Sequence, residues 1–151
     1  DTARQLKQLR EMLASEIAKG EAQVERDGER IVIRMVVQGS FYSGSADLSP
    51  DFMPMLTKIG RSIAAAGGRI TVEGHTDDIP LSGHNRYRSN WDLSGARAAS
   101  VADYLTEHAG VPRERVVVRG MADTKPLAPN DTREGRAKNR RIEVLVDAFG
   151  S

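Results

Sequence analysis

The chain of 151 residues carries 22 Lys and Arg against 21 Asp and Glu, has 39% hydrophobic residues, and contains no cysteine. This length and composition are typical of one globular domain with a short additional segment. A net charge of +1 and 5% aromatic residues argue against nucleic-acid binding, and the lack of cysteine excludes disulfides and thiol chemistry. No apolar run approaches the ~20 residues of a membrane span, no signal peptide is visible, and the start at Asp1 without Met indicates a processed or truncated product.

The N-terminal part predicts a helix followed by a hairpin. Residues 3–19 carry an apolar stripe with steps of three and four, formed by Leu6, Leu9, Leu13 and Ile17. Residues 21–25 and 30–37 are predicted strands, with Asp27-Gly28 as the turn between them. The stripe fits a helix packed on the domain, and it also fits a coiled-coil seam or a linker helix leading towards a membrane, because two heptads do not separate these alternatives.

The middle of the chain predicts two helices around one strand. The first helix begins at Ser49-Pro50-Asp51, where a capping hydroxyl precedes a proline and an acid, and it ends at Gly67-Gly68. The strand over 70–73 alternates apolar and polar residues and is closed by Gly74. After an irregular loop over 78–88, the second helix begins near Asn90 or Asp92, either of which can cap it.

The last third of the chain predicts two further strands, at 115–119 and 141–146, separated by a polar loop over 121–135. The resulting order of elements predicts an α+β fold, with one mixed sheet and helices packed on one face, plus the N-terminal helix.

Asp77 and Arg97 form the candidate site that follows from the residues alone. Steps of four from Leu93 place Arg97 in the apolar row of the second long helix, and a guanidinium near a buried face needs a partner because it keeps its proton. Asp77, at the mouth of the preceding strand, is the nearest good candidate. The pair is either an internal salt bridge or the two ends of a cleft for a zwitterionic ligand, with Arg97 on a carboxylate and Asp77 on an ammonium.

Four segments resemble the OmpA-like peptidoglycan-binding domain. They are Gly74-His75-Thr76-Asp77, Asn90-x-x-Leu93-Ser94-x-x-Arg97-Ala98, Gly120, and Gly135-Arg136-x-x-Asn139-Arg140-Arg141-Ile142-Glu143. The long loop after Asp77 and two further segments resemble one branch of this family, the periplasmic domain of flagellar stator subunits of the MotB/PomB family. The two segments are Ser89-Asn90-Trp91-Asp92-Leu93-Ser94 and Phe41-Tyr42-Ser43-Gly44-Ser45-Ala46-Asp47-Leu48.

The resemblance implies an N-terminal helix with a linker or hairpin over residues 1–29 and an OmpA-like domain over residues 30–148. It implies non-covalent binding of the diaminopimelate in a peptidoglycan stem peptide, without a cofactor. Asp77 would accept from the ammonium and Arg97 would hold the carboxylate. The remaining implied ligand-binding residues, which shape or border the cleft, are Thr76, Asn90, Leu93, Ser94 and Arg140. Gly44 stands where family members often place a contacting side chain, so that contact would come from Ser43, Ser45 or the backbone.

In the stator branch, such a domain anchors an ion-driven torque unit to the cell wall from the periplasm. The resemblance therefore implies a homodimer, attachment to the membrane-embedded stator A-subunit through a helix upstream of this chain, and flagellar ring proteins as further candidate partners. The alternative is an OmpA-like wall anchor of another envelope machine, such as a secretion system or an outer-membrane protein.

Three other kinds of site are weaker interpretations of the sequence. His75, Asp77, Asp78 and His84 offer metal-ligating atoms, but two of them lie on a loop of unpredicted shape, so no metal is expected. Ser94 lacks the surroundings of a catalytic nucleophile, so no enzyme is expected. The basic run over 133–141 lacks interleaved aromatic residues and leads into a strand, which favours a structural or anion-binding role over nucleic acid.

Overall fold

The computed structural model describes residues 1–83 and 85–147. The helices are α1 (Thr2–Met12), α2 (Ala14–Ala18), α3 (Phe52–Ala64), α4 (Asn90–His108) and α5 (Arg133–Asn139), and a 3-10 turn covers Arg113–Arg115. The strands are β1 (Ala22–Asp27), β2 (Arg30–Val36), β3 (Ile70–His75), β4 (Val116–Gly120) and β5 (Arg141–Asp147). No helix among the described residues is both long and apolar enough to span a bilayer.

The five strands form one sheet in the order β1-β2-β5-β3-β4. The β3–β4 pair is parallel and the other three pairs are antiparallel, which confirms the mixed sheet predicted from the order of elements. The pairing of His75 with Arg141 places the end of β3 beside the start of β5, next to the end of α5. The segments after β3 and before β5 therefore meet at one edge of the sheet.

Helices α1, α3 and α4 pack on one face of the sheet and form the hydrophobic core with it. In β2, alternate residues are buried, and Ile31, Ile33 and Met35 all contribute to the core. Helix α3 buries an apolar stripe with helical spacing, and its members are Phe52, Met55, Leu56, Ile59 and Ile63. Each such side chain contributes about 1.5–3 kcal/mol when it is fully buried. The opposite face of the sheet carries charged side chains.

Several predicted element boundaries differ from the structure. The N-terminal helix is interrupted at Leu13, whose side chain is buried in the core and whose backbone leaves the helical region (φ −100°, ψ 16°). Helix α3 begins at Phe52, because Pro50 and Asp51 form a turn in which the Phe52 N–H donates to the Ser49 carbonyl at 3.1 Å. Strand β3 continues through Gly74 to His75, since Gly74 pairs with both neighbouring strands.

A short helix, α5, occupies residues 133–139, part of which was expected to be loop. This helix has no apolar stripe that a sequence pattern could detect. It is fixed by a Thr132 cap, whose Oγ1 accepts from the Gly135 N–H at 3.0 Å, and by the fully buried Asn139. Asn139 Oδ1 accepts from the N–H groups of Leu127 and Ala128 at 2.7 and 3.0 Å. Polar contacts with the preceding loop therefore replace apolar burial as the cause of this helix.

Strand β1 joins the same sheet as the rest of the domain. It forms a hairpin with β2 in which Asp27 pairs with Arg30, and Gly28 takes a positive φ of 63° in the tight turn that the sequence predicted. The expected division between residues 29 and 30 lies inside this hairpin. The expected domain end at residue 148 lies outside the described residues.

Candidate functional site

The site is built where α4 begins, and two glycines bring that helix against the sheet. A Cβ on Gly74 would collide with the Ser94 carbonyl oxygen of α4, and a Cβ on Gly120 would lie 2.7 Å from the Gly95 nitrogen. Only glycine allows this close approach of backbone to backbone. The first turns of α4 are therefore held over the ends of β3 and β4, with the loop over 78–88 leading into the helix.

Asp77 follows β3 directly and is 8% exposed. Its Oδ1 accepts from the Ile79 N–H at 3.1 Å, and its Oδ2 accepts from Nη1 of Arg140 at 2.7 Å. The Arg140 side chain is 34% exposed, so this ion pair reaches the surface. The salt bridge considered from the sequence thus exists at Asp77, but its cation is Arg140 and not Arg97.

Arg97 lies on the inner side of α4 and is only 5% exposed. Its Nε donates to the Ser45 carbonyl at 2.8 Å, and its guanidinium carbon lies 5.2 Å from the centre of the Phe41 ring. Among the described residues, none accepts a hydrogen bond from either terminal nitrogen of Arg97. Four described polar side-chain atoms are fully enclosed and lack a hydrogen-bond partner, and the two terminal nitrogens of Arg97 are not among them. Within the described ranges, Arg97 therefore has terminal donors that no protein group accepts, and these donors are available to a ligand.

Burial lowers the pKa of Arg97 to about 10, because the surrounding protein disfavours the charged form. Tyr87 and Asp77 act in the opposite direction, whereas the nearby positive charge of Arg140 lowers the pKa further. Arg97 is still protonated at neutral pH. The site therefore holds a desolvated cation, which is the arrangement that gains most from an anionic ligand.

Thr76 and Ser94 both hold the loop that follows β4. The Thr76 N–H donates to the Ala122 carbonyl at 2.8 Å, and the Ala122 N–H donates to Ser94 Oγ at 3.1 Å. Ala122 has a positive φ of 51°, a conformation that a non-glycine residue keeps only when its surroundings impose it. Thr76 and Ser94 are 5% and 1% exposed. Both residues therefore fix this loop through the backbone of Ala122, and their role in ligand binding stays a prediction.

Asn90 and Leu93 complete the expected set. Asn90 Nδ2 donates to the Ile79 carbonyl at 3.0 Å and lies 3.5 Å from the Asp77 carbonyl oxygen, so it ties the start of α4 to the residues around Asp77. Leu93 is buried, with 4% exposed. The cap of α4 is Ser89, whose Oγ accepts from the Asp92 N–H, and neither Asn90 nor Asp92 as predicted. Asn90 is thereby free to make its contacts with the loop.

The sequence interpretation missed Phe41 and Tyr87. The Ala46 N–H donates to the Tyr87 hydroxyl at 3.2 Å, which fixes the 41–47 loop beside the Ser45 carbonyl that Arg97 contacts. The ligand contact expected from Ser43, Ser45 or the backbone of this loop stays a prediction, and in the structure the Ser45 carbonyl accepts from Arg97. Tyr87 lies in the inserted loop over 78–88, where no periodic pattern exists that could have placed it.

A second charged cluster lies on the open face of the sheet. The ligating atoms of Glu73, His75 and Glu143 lie within 4.8 Å of one another, a set that could hold a metal ion. Both carboxylates, however, already accept from guanidinium groups, and the shortest such contact joins Arg141 Nε to Glu143 Oε2 at 2.6 Å. With three arginines around two acids, the cluster is a salt-bridge network with little attraction for a cation. Of the metal candidates in the sequence, His84 lies outside the described residues.

The carboxylates of this network are held in their charged form. The hydrogen bond from His75 lowers the pKa of Glu73. At Glu143, burial raises the pKa, but the hydrogen bonds and charges of Arg141 and Arg34 outweigh it, so the pKa is lowered. The network therefore stabilises the fold most when both acids are ionised.

The arrangement around Asp77 and Arg97 suits the recognition of a zwitterion. A carboxylate with spare acceptor positions and a guanidinium with spare donors face the same edge of the sheet, and both are held by backbone contacts. Such preorganised charges give orientation and specificity to a bound ligand.

Comparisons with known proteins agree with this architecture. Residues 40–140 match the OmpA family. Motility protein B of Bacillus subtilis is 36% identical over 107 residues, covering 70% of this chain and 41% of the relative. The peptidoglycan-binding protein ArfA of Mycobacterium tuberculosis is 36% identical over 109 residues, covering 72% of this chain and 32% of the relative.

Two solved structures are similar over most of the chain. The cell wall anchor of the type VI secretion system of Pseudomonas aeruginosa has a TM-score of 0.85 at 38% identity, covering 93% of this chain and 96% of that one. The periplasmic domain of Helicobacter pylori MotB has a TM-score of 0.77 at 28% identity, covering 88% and 83%. By contrast, the chain spans between 32% and 58% of the length of curated relatives, which include Motility protein B and ArfA. The match over two thirds of the sequence and the shared fold show that the chain belongs to the OmpA family.

Proposed function

We propose that this chain binds peptidoglycan without covalent chemistry, through Asp77 and Arg97, and that it anchors a flagellar motor stator to the cell wall from the periplasm. The observation that carries the proposal is the desolvated Arg97, whose terminal nitrogens find no acceptor among the described residues. A buried cation that the protein leaves partly unsatisfied is costly, and an anionic ligand group would remove that cost.

The ligand group that fits best is the diaminopimelate side chain of the stem peptide, which ends in an ammonium and a carboxylate. Arg97 would donate two parallel hydrogen bonds to the carboxylate. Asp77 would accept from the ammonium. Within the described part of the chain, each carboxylate oxygen of Asp77 accepts one hydrogen bond, and an ionised carboxylate offers about four acceptor positions. The ammonium can therefore bind without displacing Arg140, whose charge also favours the ligand carboxylate.

The stator assignment is supported by the relatives named Motility protein B and MotB. In this proposal the domain acts as a homodimer, and a segment outside this chain joins it to the membrane-embedded A-subunit of the stator. Flagellar ring proteins are further candidate partners.

The first test is co-sedimentation of the protein with purified sacculi, comparing wild type with Asp77→Ala and Arg97→Ala. Removing one partner of a buried charged contact typically costs about 2–5 kcal/mol, so each variant should bind at least roughly 30-fold more weakly. Asp103→Ala and Arg61→Ala are matched controls, because they remove the same charges from exposed positions of α4 and α3. Circular dichroism checks that every variant is folded.

The outcomes separate the interpretations. Wild-type protein that stays in the supernatant would refute peptidoglycan binding. Binding that survives both substitutions would place the site elsewhere, with the 136–141 segment tested next. Muropeptides recovered after incubation should be unchanged on chromatography, and a cleaved product would refute the non-covalent mechanism.

A wall anchor for a secretion system is a second candidate function, because the similarity to the type VI anchor of Pseudomonas aeruginosa extends over 93% of this chain. Both functions use the same ligand site. Deleting the gene in the organism of origin distinguishes them: loss of swimming with assembled flagella supports the stator, and normal swimming with impaired secretion supports the alternative.

A further inference from the structure

Two large apolar side chains are exposed beside the proposed ligand site. Trp91 is 58% exposed and Ile79 is 52% exposed, whereas large apolar residues normally lose most of their surface on folding. Trp91 is the second residue of α4, and Ile79 belongs to the loop that follows Asp77. Exposed tryptophan is a frequent anchor in binding surfaces, since its ring offers a large rigid contact area.

Both residues are tied to Asp77 through the backbone. The Ile79 N–H donates to Asp77 Oδ1 at 3.1 Å, and the Ile79 carbonyl accepts from Asn90 Nδ2 at 3.0 Å. Asn90 immediately precedes Trp91. The rim of the site, which we define as Ile79 and Trp91, is thus held within two hydrogen bonds of the Asp77 carboxylate.

Trp91 lies at the exposed start of α4, next to the residue that ties this helix to the loop around Asp77. Asn90 and Arg97 are seven residues apart, which is about two turns, so they share the side of α4 that faces Asp77 and the 41–47 loop. Trp91 is one position further, about 100° around the helix axis from Asn90 and about 120° from Arg97. It therefore projects from the neighbouring side of the helix. A ligand that is bound at Asp77 and extends beyond the start of α4 would meet this rim.

We propose that the rim binds the sugar of peptidoglycan, with an N-acetylated hexosamine ring stacked on the Trp91 indole and flanked by Ile79. This inference rests on the proposed function, because it places the glycan next to the diaminopimelate site. A pyranose ring has an apolar face of C–H groups and polar edges, which matches an indole that combines an apolar face with one N–H donor. Two residues separate diaminopimelate from the sugar in a stem peptide, a reach of roughly 10 Å, which suits neighbouring parts of one site.

The test measures binding of two soluble probes by calorimetry. One probe is the sugar-free stem tripeptide ending in diaminopimelate, and the other is the same tripeptide attached to its disaccharide. We expect wild type to bind the disaccharide form more tightly. Trp91→Ala should weaken binding of the disaccharide form about tenfold, which corresponds to about 1.4 kcal/mol, and should leave the tripeptide affinity unchanged. Ile79→Ala should act in the same direction with a smaller effect.

Two controls keep the inference separate from the function on which it rests. Met12→Ala truncates another exposed apolar side chain, on α1, and should change neither affinity. Asp77→Ala should abolish binding of both probes. Equal affinities of Trp91→Ala and wild type for the disaccharide form, with Asp77→Ala inactive, would overturn the sugar site and leave the proposed function intact.

Other results would also overturn the inference. Loss of self-association in Trp91→Ala, with unchanged affinity for both probes, would assign the rim to a second copy of the chain. Failure of wild type to bind either probe would remove both the proposed function and the sugar site.

Discussion

Replacing Arg97 with methionine should remove ligand binding and change the stability of the fold by no more than about 1.5 kcal/mol in either direction. The lowered pKa of Arg97 corresponds to a penalty of roughly 3 kcal/mol for keeping the guanidinium charged in its buried position, since each pKa step is worth about 1.4 kcal/mol. Methionine has a similar reach and carries no charge, and replacing buried ions by apolar residues of similar volume is often neutral or stabilising.

Two favourable contacts are lost in the same substitution. The hydrogen bond to the Ser45 carbonyl contributes about 1–2 kcal/mol, and the contact with the Phe41 ring contributes about 0.5–2 kcal/mol. The net effect on the free energy of unfolding is therefore between a loss of about 1 kcal/mol and a gain of about 1.5 kcal/mol. At roughly 2 kcal/mol per molar urea for a domain of this size, the unfolding midpoint should change by between a fall of about 0.5 M and a rise of about 0.75 M.

Urea denaturation of wild type and Arg97→Met, followed by circular dichroism, measures this difference. Arg61→Met is the matched control, because Arg61 is exposed on α3 and should give a change close to zero. A fall of the Arg97→Met midpoint by more than about 1 M would mean that Arg97 is mainly structural. That outcome would contradict the argument that the protein keeps a destabilising charge in order to bind a ligand.

Three further predictions concern the parts that support the site. Gly74→Ala in β3 should lower the free energy of unfolding by at least about 3 kcal/mol, because the added Cβ has no room against α4. Gly95→Ala in α4 should raise the free energy of unfolding by about 0.5–1 kcal/mol, since its added Cβ meets no neighbour. Urea denaturation measures both variants, and equal effects would contradict the close approach of α4 to β3. Glu143→Gln should be less stable than wild type at pH 7 by about 3 kcal/mol, since it leaves Arg141 buried without its partner charge. Because the pKa of Glu143 is lowered in the fold, the stability that its charge contributes is present above pH 4.5 and is lost as the pH falls below that value. The difference in melting temperature between wild type and Glu143→Gln should therefore narrow in acid. A difference that stays constant with pH would disprove this linkage. Asn139→Ala should cost about 2–4 kcal/mol and speed amide hydrogen exchange in the 121–132 loop, and unchanged protection there would show that other contacts hold the loop.

The sequence predicted the parts of the fold that depend on periodic burial. Local patterns account for the apolar stripe of α3, for the strands and for the β1–β2 hairpin with Gly28 in its turn. The order of these elements was enough to predict the mixed sheet. Helix α5 could not be predicted in this way, because Thr132 and Asn139 stabilise it through polar contacts that carry no period.

The sequence predicted Asp77 and Arg97 as the candidate pair, but it did not predict the protein groups that each of them contacts. Asp77 and Arg97 follow from a strand end and a helix row, which are local signals. The ion pair of Asp77 with Arg140 joins residues 63 positions apart, and the Ser45 carbonyl reaches Arg97 across 52 positions. Such partners are chosen by the three-dimensional arrangement of the sheet edge, and no spacing in the chain records them.

If the proposed function holds, the wide separation of the site residues along the chain couples attachment to folding. Asp77, Arg97 and Arg140 come from three different segments that meet only when the sheet and α4 are assembled. An unfolded chain therefore has no site, and a ligand present at one hundred times its dissociation constant would add about 2.7 kcal/mol to the free energy of unfolding. A molecule held on the wall in this way would populate its unfolded state about one hundred times less often than a detached one. Attachment would thereby protect the attached molecules from proteolysis, so that turnover removes the idle ones first.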